Sequence, residues 1–440
     1  MDLSHASVAT DANLQHLIDI ITDLSDHRLR RRRWGDQQGF ACLLALTAPG
    51  ARSSYTSAIA WVHACAGHRF GWPEHQEPDP SGLARSRALL SVASCADMER
   101  LVRSWALTRM PSINPCISGH TLVAIDGSML HMPATPAIRQ VFPRRTDKLG
   151  IEIEHYPQAR LLMAWDAERH MPCAWRLTAQ SEGERESAGH LLSQLPDDAI
   201  AVMDRGFPSR ALLGLILASG RHAIVRMVAS EAAAFPEVRE FLASGRRSAV
   251  VACRIEIDDK ETIVSVKLVR RRFRRGRPTK HEKRELMVIL STLTDIEDER
   301  LIEIYGMRWG VETAFREMKS IAAMERWHST TPDGIRQELH ALMCWFCIAG
   351  LIAISAEAQD QASPRHRRKR VNTAVVMKAI ASILAALYAA HHDRADPAGA
   401  ATYIRQADAA LLRVLRRMQR RRPGRHNSRT PAHPYARRIA

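Results

Sequence analysis

The sequence predicts an α/β fold whose sheet-bearing middle is flanked by helical N- and C-terminal regions. Three observations predict it. Two short buried runs, "TLVAIDGS" (121–128) and "AIAVMDRGF" (199–207), each carry apolar residues into an aspartate followed by small or flexible residues, as a core strand does where it reaches an edge. Residues 230–296 are β-rich and basic in texture, with clear apolar–polar alternation, the period of a half-buried strand, in "IVSVKLV" (263–269). Before about 118 and after about 297, apolar residues recur at helical spacing.

Taken in order, "LQHLIDIITDL" (14–24) reads as a helix running into the arginine block "HRLRRRRWG" (27–35). "EHQEPDPSG" (74–82) is a loop, with Ser81 the expected cap of the helix "LARSRALLSVA". After the first buried strand, "ARLLMAWD" and "CAWRLTAQ" predict two more strands, "ERESAGHLLSQL" a helix and "RHAIVRMV" a further strand. "RSAVVACRIEI" and "ETIVSVKLV" are strands of a basic β-rich segment that includes the loop or hairpin "RRRFRRGRPTKHEKR" (270–284). Helices are expected from 297 to about 418, followed by an arginine-rich, proline-containing tail without acidic residues, whose composition predicts disorder unless bound. The expected divisions are therefore 1–118, 119–229, 230–296, 297–360 and 361–440.

A chain of 440 residues, 46% of them hydrophobic, can bury a sizeable core. Lys and Arg outnumber Asp and Glu by 63 to 47, a net charge of +16, which favours a polyanionic partner because phosphate contacts release counterions. The eight cysteines are scattered, and "CWFC" (344–347) lies in an apolar run without a second pair, so reduced core thiols are expected. The N-terminus has no secretory-signal pattern, and the apolar run "ALMCWFCIAGLIAI" (341–354) falls short of the ~20 residues of a membrane span, predicting a buried helix.

The densest chemistry lies in "YGMRWGVETAFREMKS" (305–320). On one helix at about 100° per residue, Tyr305, Arg308, Glu312 and Lys319 share an arc of roughly 60°, and Met307, Val311, Ala314, Met318 and Ile321 form an apolar stripe opposite. An ordinary solvated face with Arg308, Glu312 and Arg316 paired at i,i+4 is the plain alternative. Gly306 and Gly310 weigh against it, since glycine inside a helix suggests close approach of a bulky group. Asp126 and Asp204, each at the end of a buried strand, add two carboxylates where an α/β sheet forms its ligand crevice. Three convergent carboxylates repel one another unless a cation neutralises them, and hard oxygen ligands suit Mg²⁺ or Mn²⁺. A pair of such ions supports in-line phosphoryl displacement.

"AIDGS", "MDRGF" and Y-x2-R-x3-E-x6-K, here Tyr305, Arg308, Glu312 and Lys319 with every spacing matched, resemble the DDE transposases of bacterial insertion sequences, in the insertion-sequence-four group. "STLTD" (291–295) and "QELHALM" (337–343) extend the resemblance, which covers about 120–350. It implies a ribonuclease-H-like catalytic core interrupted by a β-rich insertion between the second aspartate and the glutamate, with an N-terminal DNA-binding region. It further implies that Asp126, Asp204 and Glu312 hold two Mg²⁺ or Mn²⁺ ions for end nicking and strand transfer. Tyr305, Arg308 and Lys319 would grip phosphates, and Arg205 would share that duty. The implied partners are terminal inverted repeats, target DNA and a second copy of the chain in a homodimeric synaptic complex. The implied setting is the bacterial cytoplasm, near the nucleoid, with no membrane. Relatives that form hairpins stack a flipped base on an insertion-domain aromatic, often tryptophan; no tryptophan lies between 176 and 308, and Phe273 is the substitute. The rival readings are a nuclease on the same scaffold and a catalytically inactive or repurposed DNA-binding relative.

Overall fold

A computed structural model of the chain describes residues 34–49, 54–67, 70–147, 149–227, 235–258, 260–274, 284–361, 369–371, 374–380, 402 and 419–420. The expected helix at 14–24, the arginines of 27–33 and most of the basic tail lie outside the described residues. The first described elements are the helices α1 (Asp36–Leu46), α2 (Tyr55–Ala66), α3 (Pro80–Leu89) and α4 (Val92–Arg109). Asp79, not Ser81, caps α3: its carboxylate accepts the Ser81 amide at 2.7 Å, and Pro80 takes the first helical position, where its missing N–H costs nothing.

The centre is an eight-stranded sheet. Its strands are β1 (Thr121–His131), β2 (Gln158–Asp166), β3 (Met171–Ala179), β4 (Ala199–Met203), β5 (His222–Met227), β6 (Ser248–Ile257), β7 (Lys260–Arg274) and β8 (Arg284–Ser291). Their spatial order is β3-β2-β1-β4-β5-β8-β7-β6. β1, β2 and β3 form an antiparallel meander, β1, β4 and β5 are parallel, and β8 returns antiparallel to β5. The β-rich segment thus continues the same sheet, with β7 pairing both β6 and β8.

Alternation along β1 sends its side chains to two layers. On one face Ala124, Leu130, Leu161, Met163 and Trp165 meet α10 (Trp309–Ser320) and the long helix α11 (Pro332–Gln361). On the other, Val123, Ile125, Leu162 and Ala164 pack on α6 (Glu184–Leu191) and α7 (Arg210–Ala218). A third cluster joins Leu122, Ile200, Val202 and Ile224 to Leu301, Ile304 and Tyr305 of α9 (Asp298–Met307). Between β1 and β2 lies the short α5 (Pro136–Val141), and α8 (Pro236–Ala243) precedes β6.

The "CWFC" run is buried within α11, and Cys344 and Cys347 are free thiols whose pKa burial pushes up. The span Pro332–Ala358 of that helix is long and apolar enough to cross a membrane, but 94% of its most apolar window is buried inside the protein. Buried polar ties fasten the N-terminal helices to it. Arg87 pairs with Glu338 at 2.8 Å, the Trp345 indole donates to the Leu44 carbonyl at 3.0 Å, and His340 meets Glu99 at 2.6 Å. Beyond α11, Lys369–Arg370 pairs with Gln419–Arg420 as a two-residue ladder, so the expected helical run to 418 is interrupted, and residues 374–380 are helical.

Gly214 shows how closely the β-rich segment is seated: a Cβ there would lie 2.0 Å from the Glu256 carbonyl oxygen of β6. Gly214→Ala is expected to destabilise the protein by about 1–3 kcal/mol, the usual range for overpacking. Thermal unfolding checks this; an unchanged melting temperature contradicts the seating of α7 on β6.

Candidate active site

Burial along β1 falls off after Ile125, where its parallel partner β4 stops at Met203. The strand itself does not end at Asp126 as the sequence predicts; it runs on to His131 because β2 still pairs with it. Asp126 therefore sits mid-strand at the end of the parallel ladder, on the face shared with Ala124 and α10. Asp204 immediately follows β4, where its Oδ1 accepts the Gly206 amide at 2.7 Å. Glu312 lies in the first turn of α10, where a negative charge is favoured by the helix dipole.

The segment 305–320 is two helices meeting at Arg308, not one. The Arg308 amide donates to the Tyr305 carbonyl and the Val311 amide to the Arg308 carbonyl, both at 3.2 Å, and these i→i+3 bonds tighten the turn. The apolar stripe holds: Val311, Ala314 and Met318 are buried against the sheet. Gly310 faces the Trp165 indole at ordinary contact distance. Arg316 leaves the expected i,i+4 series and donates to Thr313 Oγ1 at 3.1 Å.

Arg308 is 5% exposed. Its Nη1 lies 3.2 Å from Asp126 Oδ2 and its Nη2 2.6 Å from Glu312 Oε1, so one guanidinium spans two carboxylates that are 186 positions apart in sequence (312 − 126). The rings of Tyr305 and Trp309 flank it at 5.9 and 5.4 Å. Its Nε is buried without a hydrogen-bond partner. Burial works against the Arg308 charge, but Tyr305, Glu312 and Asp126 more than offset it, and its pKa moves up. Burial raises the Tyr305 hydroxyl, with Arg308 opposing.

The Asp126 carboxyl is pushed up to about 6. Burial is the main cause; Arg308 and the Gly127 amide, 2.9 Å from Oδ1, oppose it, and the charges of Asp204 and Glu312 add to it. Asp204 and Glu312 thus both act on Asp126 through space. They are hard oxygen donors of the kind Mg²⁺ and Mn²⁺ prefer. Among the described residues, no three acidic, histidine or cysteine side chains stand together as a ready metal cage. A guanidinium occupies the gap between two of the carboxylates.

Lys319 turns inward: its ammonium donates to the Met129 carbonyl of β1 and lies 3.9 Å from Glu325. Arg205 is exposed in the turn after Asp204. Phe273 lies on β7 opposite Glu285, near residues 275–283; its side chain is outside the described residues. One acidic residue beside the site escaped the sequence reading. A Cβ on Gly127 would lie 2.7 Å from Glu184 Oε1, and one on Gly206 would lie 3.6 Å from Glu184 Oε2 and 3.1 Å from Asp204 Oδ1. The two glycines leave room for the Glu184 carboxylate, which Arg160 meets at 3.4 Å. The glycines after the aspartates were the available signal. A cavity of about 710 Å³ beside β3, lined by Arg103, Trp175 and His340 among others, includes none of the candidate residues.

This chain belongs to the family described as the transposase DDE domain, whose model matches residues 117–348, more than half of the 440. Asp126, Asp204 and Glu312 all fall within that match. The chain is similar to the transposase InsG for insertion sequence element IS4 of Escherichia coli (strain K12), with 25% identity over 235 residues. That alignment covers 52% of this chain and 51% of the relative, so the chain spans about half the length of the curated relative it matches. A cryo-EM structure of a piggyBac transposase synaptic complex with hairpin DNA aligns over 95% of this chain and 84% of its own, at 13% identity and a TM-score of 0.40.

The raised Asp126 pKa sets a pH dependence. Folded, the group holds its proton up to about pH 6; its ordinary value is 3.8. Between those values the folded chain binds more protons than the unfolded one, so this contribution is complete below 3.8 and is lost as pH rises through 6. The melting temperature of Asp126→Asn relative to wild type, measured in EDTA, should therefore rise from pH 4 to pH 7. A pH-independent difference contradicts the assignment.

Proposed function

We propose that this chain is a transposase that carries out metal-dependent nicking of insertion-sequence ends and their transfer into target DNA. The observation that supports the reading is that one buried guanidinium, Arg308, pairs with both Asp126 of β1 and Glu312 of α10, while the charge of Asp204 in the loop after β4 also raises the Asp126 pKa. Family membership supports it.

In this reading the three carboxylates hold divalent metal, Mg²⁺ or Mn²⁺ and two ions, whose chemistry there is activation of a water or 3′-hydroxyl and stabilisation of the leaving oxygen. Asp126, Asp204 and Glu312 would supply the negative charge that holds the cations, Asp126 from a largely buried position. Tyr305, Arg308 and Lys319 on the adjoining helices, and Arg205 in the exposed turn, supply donors and positive charge for phosphates near the cleaved end. Phe273 is our candidate platform for an extruded base. The strand order β3-β2-β1-β4-β5, antiparallel in the meander and parallel beyond it, supports a ribonuclease-H-like core at 119–229 and 297–360. Strands β6–β8 of 230–296 are then the insertion between the second aspartate and the glutamate. Residues 1–118 would recognise the element ends and 361–440 would support a homodimer. The setting would be the bacterial cytosol at the nucleoid.

Purified protein, Mg²⁺ and a duplex carrying the element's own ends test this directly. The wild type should nick the ends and join them covalently to target DNA, whereas Glu312→Gln and Asp204→Asn should bind the ends normally without chemistry. Cutting without joining would make it a nuclease. Tight binding with no metal-dependent chemistry would make it a DNA-binding relative, and a fully active Glu312→Gln would overturn the site.

A further inference from the structure

The geometry points to a second role for Arg308: its guanidinium occupies the cation position between Asp126 and Glu312 and competes there with divalent metal, so that metal binds more tightly when it moves away. This rests on the reading that these carboxylates are metal ligands.

Three observations carry it. First, the guanidinium takes Asp126 Oδ2 at 3.2 Å and Glu312 Oε1 at 2.6 Å at once, using oxygens that a shared ion also needs. Asp126 Oδ1 is already engaged by the Gly127 amide at 2.9 Å. Second, the side chain is built into the site and not draped over it: it is 6% exposed and lies over the rings of Tyr305 and Trp309 at 5.9 and 5.4 Å. Third, its Nε is buried with no acceptor, an unsatisfied donor that makes the bridged position costlier than one in which every donor is paired. A phosphate oxygen accepts from guanidinium donors in the bidentate geometry that arginine favours.

A divalent cation and the bridging guanidinium repel one another and draw on the same carboxylate charge, so each weakens the binding of the other at this position. Any phosphate that draws Arg308 away therefore raises the affinity of the carboxylates for metal, and by linkage metal raises the affinity for that phosphate by the same factor. A chain built this way loads metal and a DNA end together.

Metal binding without DNA tests the inference, read as free Mn²⁺ by electron paramagnetic resonance. Arg308→Gln should bind Mn²⁺ on the order of tenfold more tightly than wild type, within the usual range of coupling between linked sites. Arg308→Lys, which keeps the charge but cannot fork across both carboxylates, should fall between the two. Arg316→Gln removes the same charge from an exposed position of α10 and should bind like wild type; matching gains in Arg316→Gln and Arg308→Gln would reduce the effect to bulk charge and overturn the inference. Unchanged or weaker binding in both folded Arg308 variants also overturns it, leaving Arg308 as a residue that orients the carboxylates. Asp126→Asn separates the underlying reading: if it binds Mn²⁺ as wild type does, the metal assignment fails, whatever Arg308 does.

Discussion

Two negative charges from distant parts of the chain are held side by side at the end of a buried ladder, and the Arg308 guanidinium is what allows it. Asp126 comes from β1 and Glu312 from α10, yet each lies within ion-pair distance of the same side chain. Uncompensated, a charge as buried as that of Asp126 would tend to protonate. Burial pushes the Asp126 carboxyl up to about 6 even with Arg308 opposing it. A site under that tension favours whatever brings more positive charge, which is the property a metal-dependent phosphoryl-transfer centre requires.

The rest of the fold serves that convergence. β1 and β4 run parallel, so both aspartates arrive at the same end of the sheet. α10 lays Val311, Ala314 and Met318 on the opposite side from its charged residues, anchoring Glu312 over β1. α11 backs that layer and is tied by Arg87–Glu338 and His340–Glu99 to the N-terminal helices. The sheet's other face is covered by α6 and α7, and Glu184 reaches the rim from that side through the space left by Gly127 and Gly206. Strands β6–β8 lengthen the sheet away from the carboxylates.

Much of this was legible in the sequence, for identifiable reasons. Strands β1 to β5 were readable because each is a short apolar run with abrupt polar borders, and α10 because its two faces differ so sharply in polarity. The spacing of Tyr305, Arg308, Glu312 and Lys319 is a local property, so it survives without knowledge of tertiary contacts. What failed depended on partners. The continuation of β1 past Asp126 is dictated by β2, not by its own residues. The tightened turn at Arg308 comes from the packing of two helices on different clusters. Asp79 displaced Ser81 as the cap because the helix begins one residue before Ser81, at Pro80. The partnership of Arg308 with Asp126 joins positions no local pattern relates, and Glu184 could be found only once the space beside two glycines was known.

In the proposed site, Asp126, Asp204 and Glu312 together would hold divalent metal. The most direct measurement replaces the metal with Fe²⁺ and maps where ascorbate-driven hydroxyl radicals cut the polypeptide. Three cuts are expected, close to residues 126, 204 and 312, each suppressed by excess Mg²⁺. Cleavage elsewhere, or at one of these positions without the others, would contradict it.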